Sequence, residues 1–382
     1  MVEPDTKFVR EVIGLGGESL KKCFQCGSCS VVCSLSPDER PFPRKEMIWT
    51  QWGLKDRLLG DPDVWLCHQC TDCSTYCPRG AKPGDVLAAI RSYSIMHLAL
   101  PGFLARALAA PKHLLFVLAL PALLLFAFLA ATGNLTFPKV GPEEEIVLSE
   151  LIPVQFDAYI GMALIVAFVL AVAAIGAFRF WKSINEFEAN PASTSGSRGR
   201  LLKSFVSSMV DILLHSNFGK CQANKTNRLT HLGIFYGFIL LLLAAFLGAI
   251  YHFAGQHSPY YFTGLTAPVK IVGNLGALLL LAGCALAIYR RLSKNANVGK
   301  TTYFDWFLIL TLFFVTISGI ATEVVRIANV AAATYWLYLV HLWLMFMLLI
   351  YAPFSKGAHL IYRTLAMTYA RQIGRETSNH QG

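Results

Sequence analysis

Six apolar runs of membrane length constrain this chain more than any other feature. They cover about 113–133, 157–181, 229–253, 269–289, 303–325 and 335–353. Each approaches the roughly 20 residues a helix needs to cross the hydrocarbon core. Hydrophobic residues make up 55% of the chain and charged residues only 15%, well below the quarter or so that is charged in a soluble domain. The excess lies beyond Lys112, whereas residues 1–112 carry the charges, turns and eight cysteines of a soluble unit. Two domains are expected, 1–112 and 113–382, all-α throughout. The N-terminus "MVEPDTKFVR" is polar and the first apolar run starts late, so no cleavable leader is expected. "NPASTSGSRGR", between spans two and three, reads as a flexible polar linker.

The net charge is +10, and its placement is informative. The 182–228 connection holds seven Lys/Arg against three acids, and 290–302 holds Arg290, Arg291, Lys294 and Lys300. The alternate connections differ: 134–157 carries Glu143, Glu144 and Glu145, and 254–268 has no charge. The positive-inside rule then predicts a multi-pass protein of the cytoplasmic (inner) membrane with both termini in the cytoplasm. Topology accounts for the basic balance without a nucleic-acid partner.

The eight cysteines form two matching runs. "CFQCGSCSVVC" supplies Cys23, Cys26, Cys29 and Cys33, and "CHQCTDCSTYCP" supplies Cys67, Cys70, Cys73 and Cys77. Both read C-x2-C-x2-C-x3-C, the spacing that ligates cubane iron–sulfur clusters and sends its fourth thiolate to the other cluster. Three thiolates on a tight loop cap three irons, and a distant cysteine closes the fourth corner. Cluster one is therefore expected on Cys23, Cys26, Cys29 and Cys77, and cluster two on Cys67, Cys70, Cys73 and Cys33. A reducing cytoplasm argues against disulfides. Structural zinc uses four ligands from paired C-x2-C knuckles, which makes a third cysteine in each run superfluous. Between the runs, "KEMIWTQWGLKDRLL" has apolar residues at helical spacing, so a helical ferredoxin-like domain with two [4Fe-4S] clusters is expected. Cys221 and Cys284 read as small packing residues.

Four histidines mark helix ends: His231 and His252 on span three, His341 and His359 on span six. The spans run antiparallel, which pairs His231 with His359 at the inner level and His252 with His341 at the outer. The separations correspond to about 32 and 27 Å at 1.5 Å per residue, and a kink near Pro353 would absorb the difference. Two stacked imidazole pairs across a bundle are what two bis-histidine b haems require. The alternative is interfacial histidines reaching water, with His215 and His257 as substitute ligands. Arg228, Lys356 and Arg363 are either partners for inner haem propionates or positive-inside anchors.

"HLGIFYGF" on span three and "HLWLMFMLLIYA" followed by "PFSKGAH" resemble the di-haem cytochrome b (gamma) subunit of respiratory nitrate reductase. On that resemblance His231, His341 and His359 match ligand positions. The fourth departs, because Leu241 stands where that family has its histidine; His252 takes the role, or the protein holds one haem. The cysteine domain resembles the small iron–sulfur subunit of heterodisulfide reductase. The fusion of the two resembles the C subunits of the quinone-interacting membrane-bound oxidoreductase (Qmo) complexes of sulfate reducers. That resemblance implies menaquinone as membrane substrate, flavin-containing cytoplasmic partner subunits, and adenylylsulfate reductase as end recipient.

An electron conduit is thus expected: quinol oxidised in the membrane, then outer haem, inner haem, two clusters and a soluble partner. No acid–base pair, phosphate-binding glycine loop or nucleophile motif stands beside these ligands, so the cofactors carry the chemistry. The competing class is a membrane redox sensor or transporter. Few charges lie in or at the ends of spans, Asp305, Glu323 and Arg326 among them, which argues against transport. A quinone site is expected at the outer end, where Tyr251, His257, Lys270, Glu323 and Arg326 offer polar handles; the alternative is that Lys270 and Arg326 are ordinary interfacial charges.

Overall fold

The computed structural model describes residues 3–38, 40–133, 136–138, 141, 144, 146–148, 151, 159–187, 198–216, 225–253, 267–293 and 298–375. Sixteen α-helices and no strand occur among the described residues, as the all-α expectation requires. The N-terminal part holds α1 (Thr6–Val12), α2 (Ser28–Val31), α3 (Arg44–Gln51), α4 (Lys55–Leu59), α5 (Asp63–Leu66), α6 (Asp72–Thr75), α7 (Pro83–Leu98) and α8 (Gly102–Ala109). Helix α7 is its spine: 12 of its 16 residues are buried, the pattern of a helix enclosed on all sides.

Six helices are long and apolar enough to cross a membrane: Pro111–Ala131, Gly161–Glu186, Thr226–Tyr251, Pro268–Leu292, Tyr303–Ile327 and Ala331–Phe354. All six fall on the expected spans, with ends shifted by a few residues. They belong to α9 (Leu114–Ala131), α10 (Tyr159–Phe187), α12 (Lys225–Phe253), α13 (Pro268–Leu292), α14 (Tyr303–Ile327) and α15 (Ala331–Tyr351). Two further helices are not among those long and apolar enough to cross a membrane. Helix α11 (Arg198–Leu214) follows the expected linker, most of which lies outside the described residues, and α16 (His359–Gln372) closes the chain.

One expectation is corrected here. His341 and His359 do not end a single helix. Helix α15 stops at Tyr351, two 3-10 turns (Ala352–Phe354 and Lys356–Ala358) follow, and His359 opens α16. The cause is local: Pro353 supplies no N–H, and Ser355 turns to extended backbone, where its hydroxyl accepts from Gly357 N–H as a new N-cap.

Helices α12 and α13 meet backbone to backbone. Gly233 and Gly237 of α12 face Gly276 and Gly283 of α13, and a Cβ at Gly237 would lie 2.5 Å from Leu280 N. Small residues four apart are the usual device for close helix contact in lipid, where apolar side chains gain nothing by leaving the tails. Large apolar side chains point outward instead, among them Leu115, Phe178, Phe246 and Leu278.

The two parts share one core. A single buried apolar cluster includes Phe8, Met47 and Trp65 together with Phe180, Tyr351 and Tyr362. Trp65 of α5 sits 5.9 Å edge-on from Phe180 of α10 and 4.8 Å from Tyr362 of α16. Arg179 donates to the Leu98 carbonyl (3.0 Å). The α13–α14 connection docks too: Lys300 N–H donates to Asp85 Oδ1 (3.0 Å), and the Lys300 ammonium pairs with Glu18.

The glycine seam yields a prediction. Gly237→Val should force α12 and α13 apart and lower stability by about 1–3 kcal/mol, the cost of overpacking a filled contact. Gly273→Ala, whose Cβ would meet only Ala244 Cβ at 3.6 Å, should be close to neutral. Thermal unfolding of the detergent-solubilised chain checks both, and an unchanged midpoint in Gly237→Val would refute the seam.

Candidate functional site

The two cysteine runs fold as near copies. In each, the residues flanking the second cysteine are left-handed: Gln25 (φ 64°) and Gly27 (φ 87°) around Cys26, Gln69 (φ 53°) and Thr71 (φ 74°) around Cys70. Gly27 and Thr71 then cap the one-turn helices α2 and α6, which carry Cys29 and Cys73. Thr71 is the strained member of the pair, since a β-branched residue in this region is an outlier. Alternating handedness turns successive amides inward, a concavity suited to a cluster and its anionic sulfurs.

The fourth cysteines cross. Cys77 is an electrostatic neighbour of Cys23 and Cys29, whereas Cys33 neighbours Cys67, Cys70 and Cys73. A small cavity lies among Cys33, Cys67, Cys70 and Cys73, closed by Phe42, Pro43 and Leu87. Burial pushes the Cys29 thiol up to about 11 and the Cys33 thiol up to about 12, and each would be repelled further by neighbouring thiolates. Four such thiolates are tenable together only around a cation that compensates them. The cysteines therefore fit iron–sulfur clusters on burial, spacing and grouping. None of the described cysteines is in a disulfide. Cys284 is fully buried on α13; Cys221 lies outside the described residues.

The second loop is clamped against the membrane helices. Arg91 of α7 donates to the Cys67 carbonyl (2.7 Å) and to Gln69 Oε1 (3.3 Å). Arg363 of α16 donates to the Leu66 carbonyl (3.3 Å) and to His68 Nε2. Burial first, then the Arg363 charge, holds His68 well below the usual imidazole range, so its ring is neutral and accepts from the guanidinium. His359 lies one turn before Arg363 on the same helix.

Three histidines meet there. The His231 and His359 ring centroids are 6.4 Å apart at an interplanar angle of 83°. Two imidazoles on one metal, with metal–nitrogen bonds of about 2 Å and ring centres about 1 Å further back, stand about 6 Å apart. Both rings are oriented through Nδ1: that of His359 donates to the Lys356 carbonyl (2.6 Å), and that of His231 bonds His215 Nε2 (3.2 Å). Tying the distal nitrogen to a carbonyl or neighbouring ring is the usual support for a metal-ligating histidine. Desolvation among the surrounding cationic side chains pushes His359 down to about 4, so its ring is neutral. His215 caps the end of α11 with φ 51° and is buried.

His341 is prepared similarly. Its Nδ1 lies 3.1 Å from both the Val315 carbonyl and Ser318 Oγ of α14. A Cβ at Gly319 would come within 3.0 Å of its ring, so glycine there makes room for the imidazole. His341 thus stands against the middle of α14. His252 lies one residue from the end of α12, and its side chain is outside the described residues, as is all of His257.

Away from the cysteine domain, Lys270 of α13 and Glu323 of α14 form an ion pair (3.2 Å). Arg326 lies one turn after Glu323. Of the candidate propionate partners, Lys356 pairs with Asp305 (2.6 Å) and Arg363 holds the second cysteine loop, while Arg228 is exposed. The sequence reading missed the support layer of Gly319, Arg91 and His68, and took His215 as a substitute ligand rather than as the support of His231. The amphipathic pattern "LLKSFVSSMVDILL" was the available signal for α11.

The fold and its cysteines define an all-α, membrane-embedded iron–sulfur protein whose N-terminal domain carries [4Fe-4S] clusters. Residues 19–81 match the 4Fe-4S dicluster domain, and residues 106–380 match the family described as citrate utilization protein B. The chain belongs to that family. Citrate utilization protein B of Escherichia coli is 28% identical over 377 residues, covering 91% of this chain and 89% of that protein. A protein of Archaeoglobus profundus that is like the C subunit of heterodisulfide reductase is 39% identical over 103 residues, 25% of this chain and 55% of that protein. The C subunit of the H(2):CoB-CoM heterodisulfide,ferredoxin reductase of Methanothermobacter marburgensis is 36% identical over 104 residues, 27% of this chain and 54% of that protein. The chain spans about half the length of these heterodisulfide reductase relatives. No solved structure matches. The resemblance to heterodisulfide reductase small subunits is thus borne out for the cysteine domain.

The crossed grouping predicts a specific lesion. Cys33→Ser should damage mainly the cluster of the second run, and Cys77→Ser that of the first. Paramagnetic resonance of the two reduced variants distinguishes them, and the opposite pairing of losses would refute the crossing.

Proposed function

We propose that this chain is the membrane subunit of a quinol-linked respiratory oxidoreductase, passing electrons between menaquinol and soluble flavin-containing partners. The observation that carries this is continuity: the His231–His359 pair stands one helical turn from Arg363, which grips the loop of the second cysteine run. Bound b haem in the bundle and two [4Fe-4S] clusters beside it would supply one-electron transfer. The chain's own residues place, orient and insulate these groups.

Cys23, Cys26, Cys29 and Cys77 would hold one cluster, and Cys67, Cys70, Cys73 and Cys33 the other. His231 and His359 would hold the inner haem; His341, with His252, the outer. Quinol would bind at the end of the bundle opposite the cysteine domain. The half-buried Lys270–Glu323 pair supports that end, because ionisable groups at membrane depth mark substrate or proton pathways. Arg326 and His257 complete the proposed handle. The N-terminus, the basic connections and the C-terminus would face the cytoplasm.

Two observations favour variants of this reading. His341 opposes the middle of α14 while His252 ends α12, which favours a single haem on His231 and His359. The full-length likeness to a citrate utilization protein supports an acceptor in citrate metabolism, against the adenylylsulfate reductase of the Qmo-like reading.

Haem quantitation tests the ligands. His231→Ala and His359→Ala should each abolish the same haem and leave both clusters. His341→Ala and His252→Ala should remove the other; two normal haems in His359→Ala would overturn the inner assignment. His215→Ala should retain haem and shift its potential, because the Nδ1 support of His231 is lost.

Quinone binding is tested separately. Lys270→Ala should slow haem reduction by a menaquinol analogue while haem and iron contents stay normal. Unchanged rates, with a loss instead on substitution around His231, would move the site to the cysteine-domain end.

A further inference from the structure

The two clusters of the proposed conduit differ in their surroundings. The second-run loop is enclosed: Cys67 and Cys73 are buried, and the loop is held by Arg91 and by Arg363. The first-run loop faces outward. Cys26 is exposed, and large apolar side chains beside the first-cluster cysteines stand in solvent: Phe24 is 67% exposed, Val31 84% and Tyr76 65%. Isolated exposed apolar residues are ordinary, but three around one redox site form a patch of the kind that marks an interface.

The charge around this patch has one dominant sign. Arg79 lies over the Phe24 ring at 4.0 Å, and Arg44 donates to the Gln25 carbonyl (3.0 Å). Lys22 precedes Cys23, Lys21 precedes Lys22, and Lys82 is joined to the same edge through its backbone N–H on Ser19 Oγ (2.9 Å). All five cationic side chains are exposed. The nearby Glu18 is already paired with Lys300.

We infer that the first-run cluster is the exit port of the chain, and that its apolar centre and basic collar dock the acidic face of a soluble partner carrying a flavin or iron–sulfur acceptor. One electron leaves the cluster held by Cys23, Cys26, Cys29 and Cys77, and one arrives on the partner's acceptor. No bond or proton of this chain changes. The apolar residues exclude water at contact, and the collar steers approach and sets register. The inference rests on the conduit reading above for its source of electrons, but its test bypasses that source.

Full-length protein, reduced with dithionite, is reoxidised by anionic ferricyanide or by cationic hexaammineruthenium(III) in stopped flow. Charge reversal by Lys22→Glu with Arg79→Glu should lower the ferricyanide-to-ruthenium rate ratio by about tenfold or more, within the range of electrostatic steering. Arg10→Glu on α1, outside the collar, should leave the ratio unchanged. In the complex purified with its soluble subunits, the double reversal and, separately, Phe24→Ser with Tyr76→Ser should release those subunits while both cluster signals remain. Unchanged rate ratios and retained subunits in variants with intact clusters would overturn the port. Failure of a menaquinol analogue to reduce the wild-type clusters would count against the conduit reading alone, since dithionite reaches the clusters without the membrane site.

Discussion

The architecture depends on a clamp between two arginines and one loop. Arg91 from α7 and Arg363 from α16 converge on residues 66–69, between the first cysteine of the second run and the bundle. Both donate to backbone carbonyls, and each adds a second bond to a side chain of the loop, Gln69 or His68. Charge-assisted hydrogen bonds of this kind are stronger than neutral ones, and burial removes competing water. A guanidinium fits the Arg91 position because its planar fork spans the Cys67 carbonyl and Gln69 Oε1 together, one from each terminal nitrogen, which a lysine ammonium could not do in one fixed geometry. Because His359 lies on the same helix as Arg363, the clamp also sets the separation between the cysteine site and the histidine site. Electron transfer is sensitive to that separation and indifferent to much else.

Small residues play the complementary part inside the bundle. His231 and Phe235 lie two residues before Gly233 and Gly237, so at 3.6 residues per turn they project from the side of α12 opposite the glycine seam. The seam locks α12 against α13 and thereby aims His231 toward α16 and α11. Gly319 does the same for His341 by giving its ring the space of a missing Cβ. In lipid such precision comes from backbone proximity and interhelical hydrogen bonds, because hydrophobic burial does not discriminate between helix rotations there.

These two mechanisms explain what was legible in the sequence. Membrane spans follow from run length, and cluster sites from cysteine spacing, since both depend on local chemistry that a single segment carries. The His231–His359 pairing was also visible, as a match in depth. The support was not. His215 comes from a helix hidden behind a polar linker, and its role exists only once α11 packs on α16. Arg363 read as an anchor or a propionate partner, because nothing in "LIYRTL" says that a loop 297 residues earlier lies across it. The break at Ser355 was only half visible: Pro353 signalled a kink, but the extended turn at Ser355 restarts the helix, so His359 stands at an N-terminus and spends its Nδ1 on the Lys356 carbonyl.

Helix α16 is where the separate requirements meet. It opens with His359, reaches the second cysteine loop through Arg363, and binds Ser207, Ser208 and Asp211 of α11 through Arg371. Just beyond its end, Arg375 enters the buried acidic cluster of Asp61, Asp63 and Glu46, where Lys45 is the other cation. Burial raises Glu46 well above the usual carboxylate range, so it holds a proton; one lysine against the two remaining carboxylates would leave uncompensated buried charge, which is strongly destabilising, and the second cation arrives from the membrane part of the chain. The soluble-looking domain is therefore completed electrostatically by the C-terminal helix, as its cysteine loop is completed by Arg363. A unit that looks separable by composition is, by packing and charge, half of a single folded body.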